Sequence, residues 1–80
     1  MKQKHLDVYK KLKFNICYAR KMQGLSQLQL AEKAGISRTH MSNIEAPNGA
    51  VMPSLDVLID IANALDITLS KLFDFKTFID

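Results

Sequence analysis

The chain has 80 residues, of which 48% are hydrophobic and 24% charged, and its formal net charge is +3. This length predicts one small domain over residues 1–80, and the composition is typical of a soluble globular protein. The single cysteine, Cys17, excludes an internal disulfide and a cysteine metal cluster. No apolar run reaches the roughly 18 residues of a membrane span, and no signal-peptide pattern follows Met1, so a cytoplasmic protein is expected.

The charges are unevenly distributed along the chain. Residues 1–53 carry nine basic and three acidic residues, whereas residues 54–80 carry two basic and five acidic ones. One half is therefore basic and the other acidic. This asymmetry is compatible with a polyanion that approaches one side of the molecule.

The first predicted helix runs from about Leu6 to about Met22. Leu12, Ile16 and Ala19 recur at helical spacing and predict its buried stripe. The other faces are expected to carry its lysines, which are Lys10, Lys11, Lys13 and Lys21. Gly24 follows the helix and can supply a left-handed cap.

Two short helices are predicted between residues 27 and 46. Ser26 and Gln29 have the spacing of a capping box at the start of the second helix, and Gly35 marks the turn after it. Ser37 caps the third helix, which continues to about Glu45. Its apolar positions, Met41 and Ile44, form a narrow stripe that leaves a polar outer face.

The remaining chain is a loop and two further helices. Residues 46–53 contain turn-forming residues, and Ser54 caps a fourth helix with apolar residues at regular helical spacing, Leu55, Leu58, Ile61, Ala62 and Leu65. A fifth helix is predicted to begin near Leu69. No strand alternation is present, so the fold class is all-α with five helices.

The last twelve residues are rich in aromatic and aliphatic side chains. Leu72 and Phe73 are expected to close the core, whereas the later residues come too late in a five-helix body to be fully buried. Exposed apolar patches of this kind mark interfaces. We therefore expect homodimerisation through residues 69–80, with the interface residues Phe73, Phe75, Phe78 and Ile79.

The segment from Gln27 to Ala46 meets the requirements of a helix-turn-helix. Two helices that cross steeply need a small residue at the contact, which Ala31 supplies, and a turn residue that tolerates positive φ, which Gly35 supplies. The second helix of such a motif can lie in the major groove of DNA.

Residues 20–73 resemble the Xre/Cro phage-repressor helix-turn-helix family, through RKMQGLSQLQLAEKAGISRTHMSNIE and PSLDVLIDIANALDITLSKLF. The resemblance implies a five-helix fold that binds operator DNA as a dimer. The chain length and RTHMSNIE also resemble the controller proteins of restriction–modification systems.

The resemblance also implies roles for individual residues. Base-edge positions correspond to four residues of the third helix: Arg38, Thr39, His40 and Asn43. Gln27 corresponds to a residue that bonds a phosphate and braces the third helix. Arg20 and Glu45 correspond to a structural ion pair. Side-chain chemistry supports this assignment, because arginine can bind guanine and asparagine can bind adenine through two hydrogen bonds each.

The loop after Glu45 has no lysine or arginine, so phosphate affinity is expected to depend on residues outside it and to have a modest salt dependence. The further phosphate contacts that we predict are Ser37, Ser42, Lys21, Lys33 and Asn48.

Two other function classes remain open. A protein-interaction module, such as an antitoxin-like protein, would have the same fold and is compatible with the low net charge. An enzyme is disfavoured, since the chain has no nucleotide-binding glycine loop and no metal-ligand spacing. We expect no cofactor, no metal and no small-molecule effector, and double-stranded DNA as the partner.

Overall fold

A computed structural model describes residues 3–48 and 51–75, with side chains from His5 onward. These residues form five helices: α1 Gln3–Met22, α2 Gln27–Ala34, α3 Arg38–Glu45, α4 Leu55–Ala64 and α5 Leu69–Leu72. The all-α, five-helix prediction is confirmed. The first helix begins three residues before the predicted Leu6.

Capping side chains begin four of these helices, and three of the caps, Ser26, Ser37 and Ser54, are the predicted ones. The Ser26 Oγ accepts from the backbone N–H of Gln29, and the Gln29 side chain accepts from that of Ser26, which completes the capping box. At the starts of α3, α4 and α5, the hydroxyl groups of Ser37, Ser54 and Thr68 each accept a hydrogen bond from one backbone N–H of the first turn. These local hydrogen bonds fix where each helix begins.

Two glycines adopt the left-handed backbone conformation that the turns require. Gly24 has φ 70° after α1, and Gly35 has φ 74° between α2 and α3. No atom outside the immediate backbone lies within 4 Å of a Cβ built on either. Backbone conformation, and not crowding, is therefore what favours glycine at these positions.

The core is a single cluster of aliphatic residues from all five helices. Its fully buried members include Ile16, Leu30, Met41, Ile61 and Leu72. The second helix, α2, packs against both α3 and α4, while α1 contacts α3 and α5, and α4 contacts α5. This packing holds α3 by its narrow apolar side.

Three sequence expectations about burial were wrong. The predicted buried stripe of α4 includes Leu55, which is 60% exposed, and the predicted core closure includes Phe73, which is 41% exposed. Lys13, assigned to an outer face of α1, is only 3% exposed. In each case the exposure of the side chain depends on whether a distant part of the chain packs against it.

A buried asparagine fastens α5 to α1. The Asn15 amide donates to the backbone oxygens of Leu72 at 2.8 Å and Asp74 at 3.4 Å. It satisfies carbonyls at the end of a helix too short to be stable alone. None of the described helices combines the length and hydropathy needed to cross a bilayer.

Candidate DNA interface

The outward side of α3 is formed by polar residues. Met41, Ile44 and Glu45 are buried, and because successive residues turn by about 100°, the opposite side is centred on Thr39 and Asn43. Both are exposed and lie one turn apart. The helix therefore presents short polar side chains along the middle of its free surface.

The other predicted base-contact residues flank this centre. Arg38 is exposed on one side, next to Ser42, whereas His40 is half-buried on the other side. Ser37 accepts from the backbone N–H of His40 through its hydroxyl, so this oxygen already has a structural role at the start of α3. The five side chains from Arg38 to Asn43 other than Met41 thus share one continuous surface.

A buried ion pair fixes the end of α3. The Arg20 guanidinium donates from Nε to Glu45 Oε2 at 2.7 Å and from Nη2 to Glu45 Oε1 at 2.9 Å. The hydrogen bond and charge of Glu45 raise the pKa of Arg20 above its ordinary value. Arg20 also donates to the Leu25 carbonyl at 2.7 Å, so the pair ties α1, the α1–α2 turn and α3 together.

Gln27 joins this network from the start of α2. Its side-chain Nε2 donates to Glu45 Oε1 at 3.1 Å, and the residue is half-buried. The contact links the first residue of α2 to the last of α3. It provides the brace that the resemblance implies for this position; its phosphate contact stays a prediction.

The remaining predicted phosphate-contact residues are accessible. Lys21 lies at the end of α1, Lys33 in the last turn of α2 and Asn48 in the loop, and all three are exposed. Within residues 3–48 and 51–75, no cluster of three His, Cys, Asp or Glu side chains could hold a metal ion.

Lys13 is the component of this site that sequence reasoning missed. Its Nζ donates to the backbone oxygens of Val51 at 2.9 Å, Ala46 at 3.3 Å and Asn43 at 3.5 Å. Burial lowers the pKa of Lys13 below the ordinary value for lysine. The loop, which has no cation of its own, is therefore held against α1 by an ammonium group from another element.

Replacing Lys13 with methionine is expected to destabilise the protein by about 1–3 kcal/mol, because carbonyls at the end of α3 lose a charged donor. Faster amide exchange should appear in the loop that follows α3. Urea unfolding and hydrogen exchange measure both effects. Lys10→Met, at an exposed position of the same helix, is the matched control and should change stability by less than about 0.5 kcal/mol. Equal effects of the two substitutions would contradict the role assigned to Lys13.

Comparisons with known proteins agree with this architecture. A helix-turn-helix family model, HTH_3, matches residues 18–72. The chain is 39% identical over 57 residues to the HTH-type transcriptional regulator SinR of Bacillus subtilis, covering 71% of this chain and 50% of SinR. It is 42% identical over 60 residues to the immunity repressor protein of Bacillus phage phi105, covering 75% of this chain and 40% of that protein.

A third relative is an uncharacterized HTH-type transcriptional regulator, y4dL, from Sinorhizobium fredii. It is 39% identical over 51 residues, which cover 64% of this chain and 25% of the relative. The chain thus spans between 25% and 50% of the length of these relatives. The segment matched by the family model, residues 18–72, includes the helix-turn-helix with Arg20, Gln27 and Glu45, whereas Lys13 lies before it. The chain therefore belongs to the Xre/Cro-type helix-turn-helix family of transcriptional regulators.

Proposed function

We propose that this chain is a sequence-specific DNA-binding regulator that acts as a repressor, with α3 in the major groove. The observation that carries the proposal is the outer side of α3, where Arg38, Thr39 and Asn43 are exposed while Glu45 anchors the helix end internally. DNA reading requires such a rigid helix with free polar side chains. The names of the SinR and phage phi105 relatives support the same function.

We further propose that a small set of residues around α3 contacts the DNA backbone, namely Gln27, Ser37, Ser42, Lys21, Lys33 and Asn48. Gln27 and Ser37 lie at the starts of α2 and α3, where backbone N–H groups favour a phosphate. Lys21 and Lys33 supply the exposed charges, with Ser42 and Asn48 as neutral donors. In this arrangement most of the phosphate attraction comes from α1 and α2, and less from the loop.

A homodimer would place two copies of α3 on a two-fold site. Phe73 is 41% exposed and meets the half-buried Phe75 edge-on, with ring centroids 6.4 Å apart. Phe75 also packs against the core, with the Lys11 ammonium 5.9 Å from its ring centre. Phe78 and Ile79 lie outside the described residues. Phe73 is therefore the residue whose exposure supports a dimer interface in this segment.

Selection of binding sites from random DNA tests the function directly. A two-fold consensus is expected, with half-sites about 34–36 Å apart or a multiple of that spacing. Failure to enrich any sequence at low salt would contradict the DNA-binding proposal. It would favour the alternative of a protein-interaction module with the same fold.

Replacing Phe73 with serine tests the dimer separately. We expect this variant to remain folded, because the side chain is not in the core, and to shift toward monomer in sedimentation velocity. Its affinity for a complete two-fold site should fall, whereas binding to an isolated half-site should not. Val8→Ser, at a position of α1 that is also 41% exposed, is the matched control. An unchanged dimer population would exclude Phe73 from the interface.

A further inference from the structure

An apolar groove of about 740 Å³ lies beside the proposed DNA-binding helix, between α1 and the loop after α3. Phe14 and Tyr18 line it one turn apart, with stacked rings 5.9 Å from centroid to centroid. Met22, which is 71% exposed, extends the same apolar surface, and Cys17 lies among these residues. Contact with DNA phosphates does not require such a surface.

The groove carries positive charge. Lys10 precedes Phe14 by one turn and Lys21 follows Tyr18 by about one turn, and both lysines are exposed. Glu45 also lines the groove, but its carboxylate is paired with Arg20. A complementary surface would therefore combine aliphatic side chains with free carboxylates.

The exposed side of α4 has this composition. Leu55 and Ile59, one turn apart, are 60% and 40% exposed. Asp56 and Asp60 directly follow these residues in the chain, are rotated from them by about 100° around the helix, and are also exposed. An aliphatic pair with neighbouring carboxylates thus belongs to the acidic part of the sequence, residues 54–80, whereas the residues that line the groove belong to the basic part.

We propose that α4 of one copy of this chain docks in the α1 groove of a second copy. Leu55 and Ile59 would cover the Phe14–Tyr18 pair, since each pair is spaced by one helical turn, about 6 Å. Asp56 and Asp60 would face the lysines of the groove. Two different surfaces meet in this contact, so it is a head-to-tail contact. In a pair of chains, the groove of one copy and the α4 surface of the other stay unoccupied.

The consequence for regulation rests on the proposed function, whereas the association itself does not. Because Lys21 and Asn48 line the groove and are also proposed phosphate contacts, a docked α4 would compete with DNA for this surface. The two surfaces are small, so the contact is expected to be weak in solution.

Disulfide trapping without DNA tests the contact, because Cys17 lines the groove. Wild-type chain is mixed with an Ile59→Cys/Cys17→Ser variant under mild oxidation. A mixed disulfide between position 59 and Cys17 is expected, about tenfold more abundant than with a Glu32→Cys/Cys17→Ser control at an exposed position of α2. Peptide mass spectrometry identifies the linked positions. Disulfides only between two copies of the position-59 variant would indicate a symmetric α4 contact and overturn the proposal, as would yields equal to the control.

Charge inversion provides a second measurement. Lys10→Glu/Lys21→Glu and Asp56→Lys/Asp60→Lys variants are each expected to associate about tenfold more weakly than wild type in sedimentation velocity at low salt. Mixing the two should restore association, because each then meets an opposite charge. Weak association of the mixture, or no loss in either variant, would overturn the proposal. Failure of DNA binding alone would leave these results unchanged and would bear only on the proposed function.

Discussion

Replacing Glu45 with alanine is expected to lower the free energy of unfolding by about 3–5 kcal/mol, the largest stability effect we foresee for a single polar substitution. The change leaves the Arg20 guanidinium buried without its carboxylate and removes the acceptor of Gln27. A domain of this size has a total stability of roughly 5–10 kcal/mol. The variant should therefore be partly unfolded at physiological temperature, as measured by thermal and urea denaturation.

Two further variants distinguish the buried pair from a general loss of charge. Glu32→Ala removes an exposed carboxylate from α2 and should cost less than about 0.5 kcal/mol. Arg20→Met/Glu45→Leu removes both charges and should be less destabilised than the sum of its single substitutions, since no charge is left unpaired. A Glu45→Ala variant as stable as Glu32→Ala would contradict the role that we assign to the pair.

The second large effect concerns the outer side of α3. Combining Arg38→Ala with Asn43→Ala is expected to weaken specific DNA binding by about 2–4 kcal/mol, or roughly 30- to 1000-fold, because each residue can form two hydrogen bonds to a base edge. Both side chains are exposed, so the free energy of unfolding should change little. Titration of the selected operator and of unrelated DNA measures the loss of affinity and of discrimination.

Asn63→Ala is the matched control, because it removes an exposed amide from α4. It should leave operator affinity unchanged. Lys33→Ala should instead weaken binding to all sequences alike and reduce the slope of log K against log salt by about 0.9. Unchanged operator binding by the double variant would exclude this side of α3 from base recognition.

Helix positions and caps could be predicted because their signals are local. Ser26 and Gln29 are three residues apart, and Gly35 is favoured because the turn at its own position needs a positive φ. The apolar spacing in each segment also predicted most of the core, including Ile16, Met41 and Ile61. Such features depend on neighbours within one or two turns, so the amino-acid order carries them.

The candidate site was predictable to a lesser extent. The exposed polar residues of α3 follow from its narrow apolar stripe, and the resemblance supplied the Arg20–Glu45 relationship. Neither the resemblance nor the helical spacing predicted that Lys13 is buried and binds the loop. Its acceptors are backbone oxygens 30 to 38 positions away. Every residue has a backbone carbonyl, so residue types do not identify these acceptors. The sequence therefore does not distinguish Lys13 from the exposed lysines of α1.

The amino-acid sequence alone thus determined the all-α class, the helix-turn-helix and the polar side that α3 presents. Only the tertiary structure decided that Lys13 supports the loop, that Leu55 and Phe73 face outward, and that an apolar, lysine-flanked groove lies beside α3. The physical reason is the range of the interactions. Helical periodicity and capping act between residues close in sequence, whereas burial of a side chain depends on which distant element packs against it.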